Sequence, residues 1–150
     1  MTEPAPDFSL PSDEGETVTL SALKGAPVVL FFYPKDNTPG CTKEAIGFSE
    51  ARAAFEDAGV KVFGISKDSL AAHSRFRDKQ SLTVPLLSDA DSDACERYGV
   101  WQEKKMYGKT FWGIVRSTFL IDAEGNIARE WRKVKVPGHV DEVLDAVKSL

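Results

Sequence analysis

The stretch from residue 28 to residue 55, VVLFFYPKDNTPGCTKEAIGFSEARAAF, constrains the fold more than any other part of the chain. Its first six residues, Val28–Tyr33, are a continuous apolar and aromatic run, which is typical of a strand buried on both faces. Pro34, Pro39 and Gly40 then interrupt the pattern and indicate a loop. Apolar residues at helical spacing follow at Phe48, Ala51, Ala54, Phe55 and Ala58. The stretch therefore predicts a strand–loop–helix unit.

Cys41 stands where this helix is predicted to begin, with Thr38 as its N-cap. The first turn of a helix carries unpaired backbone N–H groups and a partial positive charge. Both favour a thiolate over a thiol, and the thiolate is the nucleophilic form of cysteine. The alternative is a buried cysteine packed as a small apolar side chain. The surrounding Thr, Pro and Gly favour the reactive interpretation, but the pattern leaves both open.

Composition limits the class of protein. A chain of 150 residues is long enough for one domain with a substantial core, predicted to span residues 1–150. The formal net charge of −4 and the lack of a basic block argue against nucleic-acid binding. No apolar run approaches the roughly 20 residues of a membrane span, and the first residues do not resemble a secretory signal. Two cysteines do not form a disulfide framework, so the sequence predicts a cytoplasmic protein.

The remaining pattern predicts an α/β fold with a mixed central sheet flanked by helices. The two ends of this pattern are an N-terminal β-hairpin, on either side of PSDEGE, and a C-terminal amphipathic helix. Between them we predict strands over 60–65, 85–87, 117–121 and 127–134, and helices over 69–79 and 92–98.

One segment shows neither the helical nor the strand spacing of apolar residues. Val100–Val115 contains two Trp residues and two Gly residues, and we predict it to be irregular with extended pieces. Trp101 and Trp112 are expected to lie in the core or to line a pocket, where they could accommodate an apolar substrate group.

Residues 34–41, PKDNTPGC, match the P-x-x-x-T-x-x-C pattern of peroxiredoxin active sites. The longer strings FYPKDNTPGCTKEA, LLSDADSDACERYGVW and GIVRSTFLID resemble one subfamily, the bacterioferritin comigratory protein or PrxQ. The resemblance runs from about Asp7 to the last helix. It implies a thioredoxin-like fold, which agrees with the α/β order predicted above.

The resemblance also implies an activity, the thiol-dependent reduction of hydrogen peroxide and organic hydroperoxides. The Cys41 thiolate would attack one peroxide oxygen, become a sulfenic acid and release water or an alcohol. A thiol reductant, namely thioredoxin, glutaredoxin or glutathione, would then restore the thiol. This chemistry requires neither a metal nor an organic cofactor, and the subfamily makes a monomer the first expectation.

The matched residues acquire roles by the same resemblance. Arg116 would stabilise the thiolate with a permanent charge. The Thr38 hydroxyl would accept a hydrogen bond from the peroxide and donate one to the sulfur. Backbone N–H groups at Gly40 and Cys41 would bind oxygen as charge develops in the transition state.

Pro34 and Pro39 would help to exclude water from the site, because proline has no N–H that needs a partner. Simpler interpretations exist for three of the assigned residues. Thr38 could only cap the helix, Arg116 could be a solvated charge before a strand, and Pro34 could only end the strand.

The chain departs from its relatives in its second cysteine. Many members have a resolving cysteine five residues after the first, where this chain has Ile46, and others have one in the helix predicted over 69–79, which contains none here. The second thiol is Cys95, predicted to be a structural or a resolving residue. We therefore predict a one-cysteine cycle with an external thiol, and the alternative is a Cys41–Cys95 disulfide.

Two other functions compete with the peroxidase. A thiol–disulfide oxidoreductase usually has C-x-x-C, and Cys41 is followed by Thr, Lys and Glu. A redox-responsive binding protein or chaperone is the non-enzymatic alternative. His73 is predicted to be half-buried on a helix and His139 to begin the last helix, and no Cys/His pair has metal-ligand spacing, so no metal site is predicted.

Overall fold

A computed structural model describes residues 3–150 of the chain, without the side chain of Met106. The strands are β1 (Glu3–Pro4), β2 (Ser9–Pro11), β3 (Thr17–Thr19), β4 (Val28–Phe32), β5 (Lys61–Ser66), β6 (Leu86–Ser88), β7 (Trp101–Met106), β8 (Lys109–Ile114), β9 (Ser117–Ile121) and β10 (Asn126–Arg132). The helices are α1 (Pro39–Asp57), α2 (Leu70–Gln80), α3 (Ala94–Arg97) and α4 (His139–Lys148), with one 3-10 turn at Leu20–Leu23.

Six strands form the central sheet in the order β1-β10-β9-β4-β5-β6. The pairs β4–β5 and β5–β6 are parallel, whereas β9 runs antiparallel to both β4 and β10. The predicted mixed sheet is therefore confirmed. The N-terminal hairpin is confirmed as well, because β2 and β3 pair antiparallel with each other.

The central strand β4 is buried along its whole length because both faces of the sheet are covered. Phe31 and alternate residues of β4 pack with α1, α2 and α4. Leu30 and Phe32 point to the opposite face and pack with β2, β3 and α3. Side chains alternate along a strand, so a run without polar residues supplies both layers at once.

The segment predicted to be irregular with extended pieces forms the β7–β8 hairpin. The extended pieces are confirmed, but the predicted irregularity is wrong. Tyr107 and Gly108 make its two-residue turn, with positive φ angles of 52° and 76°, the backbone that tight hairpins use. Trp112 is 58% exposed on this hairpin, which contradicts its predicted place in the core or a pocket, whereas Trp101 packs against the core.

Most of the other predicted elements are present with shifted ends. Helix α2 begins after Ser69, whose hydroxyl accepts a hydrogen bond from the Ala72 N–H at 3.1 Å, as a capping serine does. Helix α3 is shorter than predicted. Strand β1 was not predicted, because a strand of two residues is too short to show an alternation of apolar and polar residues. Within residues 3–150, no helix has the length and apolar character needed to span a bilayer.

Gly64 generates a prediction about stability, because it lies where β5 passes the ring of Phe31. A Cβ at this position would lie 2.7 Å from Phe31 Cζ and 3.0 Å from Leu86 Cδ2. Gly64→Ala should therefore lower the free energy of unfolding by about 1–3 kcal/mol, which urea denaturation can measure. Adding Phe31→Leu removes the nearest ring atom and should restore part of the loss. An unchanged midpoint in Gly64→Ala would contradict this view of the packing.

Candidate functional site

Cys41 is the third residue of α1, at the carboxyl end of β4, as the sequence predicts. Thr38 occupies the N-cap position, and the first helical hydrogen bond runs from the Thr42 N–H to the Thr38 carbonyl at 2.8 Å. Helix geometry leaves the N–H groups of Gly40 and Cys41 without a partner inside the helix. Cys41 is only 1% exposed, but Pro39 beside it is exposed, so the sulfur lies just beneath the surface.

Arg116 lies against this sulfur. Its Nη2 donates a hydrogen bond to Cys41 Sγ at 3.2 Å, and its Nη1 donates one to Glu44 Oε1 at 2.7 Å. The sheet explains the contact, because Ser117 at the start of β9 pairs with Phe32 at the end of β4. The residue before β9 is thereby brought to the loop that follows β4. The predicted pairing of Arg116 with Cys41 is present in the structure.

Gly40 leaves the space that this guanidinium occupies. A Cβ on Gly40 would lie 3.1 Å from Arg116 Nη2, closer than most real contacts of that kind. Gly40 has no positive φ angle here, so it is the missing side chain rather than backbone freedom that matters. The glycine in the motif therefore allows Arg116 to reach the sulfur.

Thr38 behaves differently from the prediction. Its hydroxyl donates a hydrogen bond to the Lys35 carbonyl at 2.8 Å, and it makes no side-chain capping bond. The position is an N-cap, but the predicted capping by the side chain is wrong. The predicted donation from this hydroxyl to the Cys41 sulfur is wrong as well, because its single proton is donated to Lys35. The hydroxyl oxygen keeps its acceptor lone pairs, which leaves it able to receive a hydrogen bond from a ligand. Pro34 is partly buried and Pro39 is exposed on either side of this loop.

Glu44 belongs to the site and was missed by sequence reasoning. It lies one helical turn after Cys41, on the same side of α1, and it is fully buried. Among the described side chains, its Oε2 is a buried oxygen with no hydrogen-bond partner. Burial raises the pKa of Glu44 to about 7, although Arg116 opposes the shift. The available signal was the spacing, because Glu44 lies four residues before Phe48 and so falls on the apolar stripe of the helix.

Arg116 is a strong cation in this setting. Burial acts to lower its pKa, but the neighbouring Glu44 and Cys41 outweigh that effect and hold the pKa above its usual value. Burial and then the positive charge of Arg116 lower the pKa of Lys104 on β7. The β7–β8 hairpin leads directly into the site along the chain, because β8 ends at Ile114, two residues before Arg116.

Cys95 lies on the other side of the sheet from Cys41. Cys41 packs in the layer that contains Phe31, whereas Cys95 packs in the layer that contains Phe32. The Cys95 N–H donates to Asp89 Oδ2 at 2.8 Å. Burial, reinforced by the Asp89 carboxylate, raises the pKa of the Cys95 thiol. This thiol is held in its protonated, unreactive form.

The two histidines have different surroundings. His139 begins α4 as predicted, and burial lowers its pKa to about 4, so its ring is neutral at physiological pH. Its Nε2 lies 2.8 Å from Thr118 Oγ1. His73 was predicted to be half-buried, which is wrong, because it is fully buried with partners on both ring nitrogens.

Comparison with known proteins is consistent across sequence and structure. The model of the AhpC/TSA family matches residues 1–130. A bcp sequence of Coxiella burnetii is 56% identical over 140 residues, covering 93% of this chain and 93% of that one. Peroxiredoxin Bcp of Bacillus subtilis is 48% identical over 146 residues, covering 97% and 93%.

Solved structures agree with these sequences. A structure of the Xanthomonas campestris bacterioferritin comigratory protein, from a study of its alkyl peroxide reduction activity, superposes with a TM-score of 0.90. It is 46% identical and covers 95% of this chain and 90% of its own. The thioredoxin-like fold expected from the sequence is thereby confirmed.

The first prediction for this site concerns Arg116. Arg116→Ala removes the cation that donates to Sγ, so the rate of alkylation of Cys41 by iodoacetamide at pH 7 should fall about tenfold or more. Arg116→Lys keeps a charge without the two-pronged contact and should slow alkylation less. Arg129→Ala removes an exposed arginine elsewhere and controls for net charge. An unchanged rate in Arg116→Ala would disprove the electrostatic role.

The second prediction for this site concerns the protonation of Glu44. Because its pKa rises from 4.5 to about 7 on folding, the folded protein binds more protons than the unfolded chain between these pH values. The contribution of Glu44 to the free energy of unfolding must then fall as the pH rises from 4.5 to about 7. The difference in stability between wild type and Glu44→Gln should follow that fall. Glu50→Gln replaces an exposed carboxylate on the same helix and controls for the change in net charge. A pH-independent difference for Glu44→Gln would refute the shift.

Proposed function

Since this chain belongs to the AhpC/TSA family, as a peroxiredoxin of the Bcp/PrxQ subfamily, we propose that Cys41 is its peroxidatic residue and that Arg116, Thr38 and Pro34 complete the catalytic site. The family makes the chain a thiol-dependent peroxidase. The single observation that supports the residue assignment most strongly is the contact of 3.2 Å between Arg116 Nη2 and Cys41 Sγ.

The first step is a nucleophilic displacement on oxygen. The Cys41 thiolate forms an S–O bond with one peroxide oxygen while the O–O bond breaks. The departing oxygen takes up a proton and leaves as water or an alcohol, and Cys41 becomes a sulfenic acid. Negative charge moves from sulfur to the leaving oxygen, so a fixed cation beside both atoms stabilises the transition state more than the free reactants.

The loop residues orient the peroxide. The Thr38 hydroxyl already donates to the Lys35 carbonyl, so it receives a hydrogen bond from the peroxide O–H. The N–H groups of Gly40 and Cys41 at the start of α1 bind the oxygen on which charge develops. Pro34 and Pro39 border this space without adding N–H groups that would hold water.

The substrate class includes hydrogen peroxide and organic hydroperoxides. The Xanthomonas relative is described by its alkyl peroxide reduction activity. In this chain the β7–β8 hairpin ends two residues before Arg116 and carries Phe111 and Trp112 on its exposed surface. These apolar side chains are the candidates for receiving the alkyl group of an organic hydroperoxide, whereas the charged contacts at Cys41 act on the peroxide group that all these substrates share.

The catalytic cycle uses one cysteine. A Cys41–Cys95 disulfide needs the two Cα atoms within about 7 Å, and the side chains pack in layers on opposite faces of the central sheet. Bringing them together would require the core on one face to open. An external thiol therefore reduces the Cys41 sulfenic acid directly.

The remaining assignments follow the family and the composition. Thioredoxin, glutaredoxin and glutathione are the candidate reductants, and a monomer of a single domain is the working unit. Two unpaired cysteines in a chain of this length suit the cytoplasm.

Replacement of the nucleophile tests the assignment of Cys41. Cys41→Ser should abolish consumption of hydrogen peroxide by the protein with a thiol reductant, whereas Cys95→Ser should retain it. Intact mass after one equivalent of peroxide should increase by one oxygen in wild type. Unchanged turnover in Cys41→Ser would reject the site, and a loss of two hydrogens with no free thiol would reject the one-cysteine cycle.

A further inference from the structure

A buried polar cluster lies beneath the loop that precedes Cys41, and the proposed mechanism does not use it. Its centre is Asp36, which is 6% exposed. Tyr33 Oη donates to Asp36 Oδ1 at 2.7 Å, and His73 Nδ1 lies 2.7 Å from Asp36 Oδ2. Tyr33 directly follows β4, whereas His73 comes from α2, so the cluster joins the loop to a separate helix.

The contacts define the protonation of His73. Its Nε2 lies 3.0 Å from the Leu87 carbonyl oxygen, which can only accept, so Nε2 carries a hydrogen. Its Nδ1 faces the Asp36 carboxylate, which also accepts. A ring that donates from both nitrogens is an imidazolium. Burial acts to lower the pKa of His73, but the bond and charge of Asp36 outweigh it and raise the pKa.

The backbone of Asp36 makes a second hydrogen bond that holds the loop in place. The Asp36 N–H donates to Asp68 Oδ2 at 2.9 Å. Asp68 is itself fixed, because Ser66 Oγ donates to the same oxygen at 2.7 Å and Ser88 Oγ donates to its carbonyl at 2.6 Å. Asp36 is thus tied to residues at the carboxyl ends of β5 and β6 as well as to α2.

The tied residue lies directly before the part of the loop that faces the peroxide. Asn37 follows with a positive φ of 61°, a conformation that Asn accepts more readily than most residues. Thr38 then donates back to Lys35. The position of the Thr38 hydroxyl relative to Cys41 therefore depends on where Asp36 is held.

We propose that the buried His73–Asp36 ion pair is a positioning device, with His73 as a positioning residue that holds the 34–38 loop so that its peroxide-binding groups face the Cys41 sulfur. This inference rests on the proposed peroxidase site. The ion pair affects how the peroxide is bound and aligned, because it sets the position of the loop. It does not contact the sulfur, whose anionic form is stabilised by Arg116 and the start of α1.

The same atoms would also suit a cation, since ligand atoms of Asp36, Asp68 and His73 lie within 4.8 Å of one another. The hydrogen bonds already present occupy the lone pairs that a cation would need. An imidazolium has no free lone pair, and the oxygens that face one another already accept hydrogen bonds. The cluster is held together by hydrogen bonds among its own side chains and backbone groups.

The pair should make peroxide reactivity depend on pH. The groups that face His73 are Asp36 from the loop, Asp68 from the turn after β5 and Tyr33 from β4. A neutral imidazole has one N–H, so one of its two hydrogen bonds is lost when the proton leaves. Because the folded pKa is raised above 6.5, the stabilisation is complete below 6.5 and is lost as the pH rises through the folded value.

The experiment compares two reactions of Cys41. Rates of oxidation by hydrogen peroxide and of alkylation by iodoacetamide are measured between pH 5.5 and 9 for wild type and His73→Gln. We expect the ratio of peroxide rate to alkylation rate to fall about tenfold or more in His73→Gln, because small misplacements of binding groups are costly in rate. The pH midpoint of alkylation should be unchanged. The wild-type ratio should fall as His73 loses its proton, and that fall should be missing in the variant.

Arg77→Gln is the matched control. Arg77 lies on the same helix and donates to Asp13 and to the Leu82 and Val84 carbonyls, so its loss weakens the docking of α2 without touching Asp36. Its ratio should match that of wild type. Tyr33→Phe removes one donor to Asp36 with little change in shape and should lower the ratio less than His73→Gln, which keeps the test valid if His73→Gln does not fold.

Direct observation of the ring completes the test. Long-range ¹H–¹⁵N spectra should show both nitrogens of His73 protonated at pH 6.5. Equal ratios in wild type, His73→Gln and Tyr33→Phe, or a ring that is neutral at pH 6.5, would overturn the proposal. A wild-type protein that reacts with peroxide no faster than an ordinary thiol would instead reject the peroxidase site itself.

Discussion

One guanidinium is shared between a sulfur and a buried carboxylate, and the rest of the site depends on that arrangement. Arg116 donates to Cys41 from one nitrogen and to Glu44 from another. The fork of arginine allows both contacts at once, which the point charge of lysine would not. The carboxylate fixes the orientation of the fork, and Gly40 leaves it space. The sulfur thus faces a cation that is already oriented before any peroxide arrives, which is the condition for electrostatic catalysis.

The sheet brings these partners together from distant parts of the chain. Pairing of β4 with β9 places the residue before β9 beside the loop after β4, although Cys41 and Arg116 are 75 positions apart. Burial of β4 on both faces makes this pairing rigid, because its side chains fill two separate layers. The same layering keeps Cys95 away from Cys41. A single feature of the fold therefore brings Cys41 and Arg116 together and separates the two thiols.

Several charges in this structure are buried where the fold alone would not require them. A buried carboxylate or ion pair loses hydration that its partner only partly replaces. Glu44 keeps one oxygen without a hydrogen bond, and His73 and Asp36 form an ion pair beneath the catalytic loop. Both groups adjoin the segment that holds Cys41. Their cost in stability is consistent with a role in orienting groups for the reaction.

The sequence by itself determined the strand, the loop, the start of α1 with Cys41 in it and the mixed sheet, because these depend on local pattern and on the order of strands and helices. It also indicated Arg116 through resemblance to a family. It did not indicate Glu44, the full burial of His73 or the β7–β8 hairpin. It also assigned the Thr38 side chain a capping bond that is absent, because the hydroxyl donates to the Lys35 carbonyl and accepts no bond from the helix. Those features depend on which side chains meet across the sheet, and partners that lie far apart in the chain meet only once the strands have paired.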